Sequence, residues 1–196
     1  MTIDFKSILD MGSERAVADL AVKAIEEVPE SFRDVLDLCF IEKYPISMRA
    51  ARVAQLYCEK YPEAIYPFLD EAMEKTIRSK IKGVRHNFLK IFAEYIDINK
   101  ISDPGPLLNT CFEWLLDRSI TPAIKIHAMD VIYKFGLKEP ALHQELAVSI
   151  EIIMDENEIS IKTCGRKMLK RIGQRSAVKT KNQEPIPNTQ EPRTNT

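Results

Sequence analysis

Apolar side chains recur three and four residues apart along nearly the whole chain, the spacing of one face of an α-helix. Val17, Leu20, Ala24 and Val28 share a face of a first helix, with Ser13 as its expected N-cap and Pro29 as its stop. Phe32, Val35, Leu36, Cys39 and Phe40 form the stripe of a second helix. A third is expected from about Ser47 to Tyr61, with Val53, Leu56 and Tyr57 inward. The fourth, from about Glu63, carries Ile65, Phe68, Leu69, Ala72 and Met73, and the fifth Val84, Phe88, Ile91, Phe92 and Tyr95. Asp103–Pro106 breaks the pattern, and a sixth helix follows with Leu107, Leu108, Cys111, Leu115 and Leu116. Thr121 and Pro122 open a seventh as cap and first residue, around Ile124, Ala128, Val131, Ile132 and Phe135. Gly136 fits the left-handed position that commonly closes a helix. Pro140 starts an eighth, with Leu142, Leu146, Ile150 and Ile153 inward, and a ninth from about Ser160 carries Ile161, Met168, Leu169 and Ile172. Almost nothing reads as strand.

The stripes also repeat on a longer scale. Met48-Arg49, Val84-Arg85, Ile124-Lys125 and Ile161-Lys162 each open a helix with an apolar residue followed by a base, about every 37 residues. A second helical stretch precedes each of them. The sequence Glu-Lys-Tyr-Pro occurs at Glu42–Pro45 and Glu59–Pro62 and is expected to end a helix both times, because a residue before proline is pushed out of the α region. A fixed period of this size marks stacked helix pairs, none of which can bury its own stripe alone.

Composition narrows the picture. With 196 residues, 45% of them hydrophobic, the chain suits one globular domain with a sizeable core. Net charge is −1, but it is unevenly spread. Residues 1–80 and 81–158 each carry −4, whereas 159–196 carry +7, and no acid lies between Ile159 and Lys181. Such asymmetry points to an interaction end. Residues 179–196 hold one aliphatic side chain and three prolines, a composition expected to stay disordered. The repeat domain is therefore expected to cover residues 1–178. Cys39, Cys58, Cys111 and Cys164 are far apart in apolar stretches and read as reduced core thiols, which suits the cytoplasm. No secretory signal pattern and no membrane-spanning run is present.

The helix-pair period, the apolar-then-basic opening of each second helix, and the proline-led entries at Pro62 and Pro140 resemble the HEAT-repeat superfamily of armadillo-type solenoids, over about residues 13–175. The resemblance implies an all-α, right-handed α-α superhelix of about four helix pairs. Its second helices would line a concave surface for a protein partner. One branch, the HEAT-like alkylpurine DNA glycosylases, binds DNA there and uses a catalytic Asp beside aromatic side chains. Phe112–Arg118 offers Trp114, Asp117 and Arg118, but Trp114 shares an apolar stripe with Leu107, Leu108 and Cys111, so no catalytic residue is assigned.

The candidate binding residues are basic. Arg49, Arg85, Lys125 and Lys162 sit in first turns, where a cation opposes the helix macrodipole. Two offsets are open: an internal ladder with acids such as Asp70, Glu74, Asp117 and Asp155, or an anionic ligand such as a phosphate backbone. Arg52 lies close to the first of these bases. Arg166, Lys167, Lys170 and Arg171, with Arg175 beyond, form a basic cap that either solvates the open end of the solenoid or binds an acidic protein or nucleic acid. Tyr57, Tyr61, Tyr66 and Phe68 are aromatic candidates for an interface or for helix packing. His86, His127 and His143 have no metal-ligand spacing, and no nucleotide-binding or nucleophile motif occurs. The expectation is a non-catalytic module that binds a protein, with nucleic acid as the alternative. No cofactor, metal, membrane or small-molecule ligand is expected.

Overall fold

A computed structural model describes residues 3–154 and 159–181, with side chains to residue 174. Ten α-helices follow one another: α1 (Phe5–Asp10), α2 (Arg15–Glu27), α3 (Phe32–Cys39), α4 (Ile46–Lys60), α5 (Leu69–Arg78), α6 (Lys82–Lys90), α7 (Gly105–Leu116), α8 (Pro122–Gly136), α9 (Pro140–Met154) and α10 (Ile159–Lys181). Among the described residues there is no strand. The helices form five consecutive pairs in two layers. The second helices α2, α4, α6, α8 and α10 lie side by side in chain order, and each first helix packs on its own second helix.

This is the all-α solenoid that the periodicity implies, with one pair more than the expected four. The addition is α1, only six residues long, whose Phe5 and Leu9 are both buried. Asp4 caps it by accepting from the Ser7 N–H at 3.1 Å. One core runs the whole length and includes Ile25, Val35, Val53, Phe88, Phe92, Leu107, Leu115, Ile132, Leu146 and Ile150, all essentially inaccessible. Each such side chain contributes roughly 1.5–3 kcal/mol of hydrophobic stabilisation.

Several local expectations need correction. Glu14, not Ser13, is the N-cap of α2. Pro62 and Pro67 hold Pro62–Phe68 in a 3-10 turn, so the helix expected from Glu63 begins only at Leu69. The first Glu-Lys-Tyr-Pro does not end a helix, since α3 has already stopped at Cys39 and Pro45 instead precedes α4. Glu42 there adopts a left-handed conformation (φ 55°). Its carboxylate accepts from the Ser79 hydroxyl at 2.5 Å and the Lys80 N–H at 2.9 Å. Gly136 is the last residue of α8 and is not left-handed. It is required because a Cβ would stand 2.2 Å from the His143 ring. Cys164 is only half-buried, whereas the other three thiols are buried. The stretch expected to be disordered begins inside α10 and, beyond Lys181, lies outside the described residues.

The long-range polar contacts share one property. Lys60 to Glu26, Arg33 to Glu71, Gln55 to Tyr95, Ser79 to Glu42, Ser102 to Asp70 and Arg171 to Asp130 span between 32 and 41 positions. That is about one repeat, so each unit is tied to its neighbour.

Candidate functional site

The first-turn bases face the framework. Arg49 Nη1 donates to the carbonyl of Leu9, in the last turn of α1, at 2.7 Å. Arg85 Nε donates to the carbonyl of Ser79, the C-cap of α5, at 2.5 Å. Its guanidinium also lies 4.8 Å from the Trp114 ring centroid. Burial lowers the Arg85 pKa. Lys125 is buried, and Lys162 is half-buried. The ladder is thus largely internal, but Arg49 and Arg85 use carbonyls rather than acids as partners. A cation that opposes the dipole of its own helix is offset by the negative end of an adjoining one. Two of the acids expected to pair with the bases are engaged elsewhere: Asp70 accepts from the Ser102 hydroxyl, and Glu74 pairs with Arg78. Asp117 accepts from the Ser119 N–H, and that bond, together with the charges of Lys125 and Arg85, holds its carboxyl below the usual range. Asp155 lies outside the described residues.

What remains on the inner layer is a mixed polar face. Arg52 of α4 is exposed. His86 of α6 and His127 of α8 sit ring to ring, with centroids 4.7 Å apart. Both Nδ1 atoms are buried and lack a hydrogen-bond partner among the described residues. Burial, then the neighbouring His86 and Lys90, push His127 down to about 4. Burial, then Lys90 and Arg52, lower His86 as well, so both rings are neutral at neutral pH. Lys90 lies 3.8 Å from Glu94 and 5.7 Å from the Tyr95 ring centroid. Lys134 donates to the carbonyls of Phe92 (3.2 Å) and Ile96 (2.5 Å), where Ile91–Tyr95 closes α6 in a π-helical turn.

Farther along, Arg171 reaches Asp130 at 3.4 Å and lies 4.1 Å from the Tyr133 ring centroid. Burial raises the Asp130 carboxyl despite this partner. Arg166, Lys167 and Lys170 are exposed on α10. Lys167 and Arg171 edge a cleft of about 130 Å³ with Cys164 and Asp130. The Arg175 side chain lies outside the described residues.

The HEAT repeat domain family matches residues 5–172. The chain belongs to the HEAT repeat family. The match starts at Phe5 and so includes α1. Comparison with the curated proteins and with the solved structures finds no match.

Within this HEAT framework, Trp114 is 7% exposed and partnered by Arg85, and Asp117 is bound to Ser119. Tyr57 packs between Phe32 and Tyr61, each ring centroid 4.9 Å away, and only Tyr61 of that trio is exposed. Among the described residues no group of three or more His, Cys, Asp or Glu could hold a metal ion, and no helix is long and apolar enough to cross a membrane. The His86–His127 pair escaped sequence reasoning because the residues are 41 positions apart. Superposing the repeats does not reveal it either, because His86 directly follows Val84-Arg85 whereas His127 comes two residues after Ile124-Lys125, one position out of register.

Proposed function

We propose that this HEAT repeat protein is a non-catalytic interaction module whose inner layer of second helices receives a protein partner. The observation that carries the reading is the consumption of the ladder bases. Arg49 and Arg85 donate to carbonyls inside the molecule, so they are not arrayed for a phosphate backbone. The charges around them are mixed in sign: Arg52, Glu94 and Lys167 are exposed, and Lys90 and Asp130 are half-buried. Mixed charge on a helical scaffold suits protein recognition, where complementarity supplies specificity. The test is capture of partners from the cell of origin after nuclease treatment, comparing wild type with the paired variant Arg52→Glu/Lys90→Glu and with an outer-layer control, Glu74→Lys. A partner retained by wild type and the control but lost by the inner-face variant supports the reading.

The alternative rests on Arg166, Lys167 and Lys170, which are exposed on α10 beside Arg171. If these bases contact a nucleic-acid backbone, binding falls steeply with added salt. Reversing Lys167, Lys170 and Arg171 to Glu then abolishes retention on heparin; unchanged retention excludes this use of α10.

A further inference from the structure

A second site lies at the N-terminal edge of the inner layer. There the α1–α2 turn folds against the first turns of α4 and α6 and leaves an open cleft of about 330 Å³. This is within the range of ligand-sized clefts, about 300–1,000 Å³, and on the order of ten water volumes. Leu9, Val17, Ala18 and Met48 supply apolar wall, and Arg49, Arg52 and His86 bring nitrogen donors to the cleft.

Three buried side-chain polar atoms lack a hydrogen-bond partner among the described residues, and two of them, Arg49 Nε and His86 Nδ1, belong to residues of this cleft. Arg49 Nε always carries a proton, and a buried donor left unmatched is expensive. The neutral His86 ring can place its proton on Nδ1 and so become a second donor. Arg52 is exposed at the rim and makes no hydrogen bond or ion pair with a described residue. The other charges at the rim are Arg15, committed to Asp19 at 2.7 Å, and Glu14. Two guanidiniums against one carboxylate leave a single positive charge for a ligand to balance.

We propose that this cleft binds a small organic monoanion, a carboxylate on a short apolar stem. The carboxylate meets Arg52 and the Arg49 Nε–H, and the stem lies along Met48 and Leu9. A guanidinium–carboxylate contact is the charge-assisted bond best matched to these donors. Inorganic phosphate satisfies the charge but leaves the apolar wall uncovered. This reading departs from the expectation of no small-molecule ligand, and it stands independently of the protein-partner proposal.

The test is a titration of the isotope-labelled full chain with sodium hexanoate, followed by magnetic resonance at the Gly83 amide and the Arg49 Nε–H. Hexanamide serves as the uncharged analogue and inorganic phosphate as the anion without a stem. Hexanoate is expected to give saturable shifts, with hexanamide and phosphate at least about tenfold weaker, as loss of a charge-assisted pair or of the stem's burial predicts. Arg49 also holds α1, so the variant of choice is the exposed Arg52→Glu, which abolishes the shifts and leaves the thermal transition in place. Glu14→Gln removes the competing carboxylate and tightens binding several-fold. The proposal is overturned by a response to hexanoate that does not saturate, by equal binding of hexanamide or phosphate, or by unchanged affinity in folded Arg52→Glu.

Discussion

Glycine at two helical positions shows how local space, not propensity, sets the sign of a substitution. Both Gly136→Ala and Gly173→Ala remove a helix-weakening residue, worth roughly 0.5–1 kcal/mol in open surroundings. At Gly173 nothing stands within 4 Å of a new Cβ, so Gly173→Ala is expected to stabilise. At Gly136 the Cβ meets the His143 ring, which is fixed by stacking on Tyr133 and by a 2.9 Å hydrogen-bond contact with the Tyr133 carbonyl. There Ala is expected to cost about 1–3 kcal/mol, and urea unfolding of the two variants checks the opposite signs. The histidine pair makes a second prediction. His127 has its pKa held at about 4 in the folded chain, against 6.5 as the ordinary value. Between these values the unfolded chain binds more protons, so stability falls as pH drops from about 6.5 to about 4. His86 acts in the same sense, while Asp130, with its raised pKa, opposes it at the acid end. His127→Gln is expected to flatten the fall in thermal midpoint over that window. Neither effect was legible in the sequence, because each depends on which ring another helix places against the residue.

At the scale of the element, helix ends are held by bases from neighbouring helices. Arg85 both donates to the Ser79 carbonyl and stacks on Trp114, so it secures the end of α5 and the flank of α7 together. Arg85→Ala is expected to destabilise by about 1–3 kcal/mol in chemical denaturation. Arg85→Lys restores little, because an ammonium cannot make the planar stack. The stripes that define most helices were readable from spacing alone, since burial on one face demands it. Less readable were elements governed by few residues. α1 has a single turn's worth of apolar side chains, and Pro62–Phe68 carries a helical stripe whose prolines forbid an α-helix there. The basic opening of each second helix was legible as a pattern, whereas its carbonyl partners were not, because a backbone oxygen leaves no mark in the sequence.

For the whole molecule, the period of about 37 residues was the most legible property, because identical burial demands recur in every unit. The cleft was the least legible, because the α1–α2 turn, α4 and α6 assemble it from positions scattered over the first 87 residues. Polar ties that reach one repeat and no farther predict loosely coupled stability along the chain. Leu146→Ala, at a fully buried site in α9, is expected to cost about 2–5 kcal/mol locally. Amide exchange should then accelerate in α9 and α10 while protection in α2 to α4 is nearly unchanged; a uniform loss would mean that the domain unfolds as one block. The same short-range ties have a mechanical consequence. A small rotation at each junction between pairs leaves every contact within a pair intact, and such rotations add along the row. The inner layer can therefore flex like a leaf spring, opening or tightening its grip through many slight bends instead of one hinge.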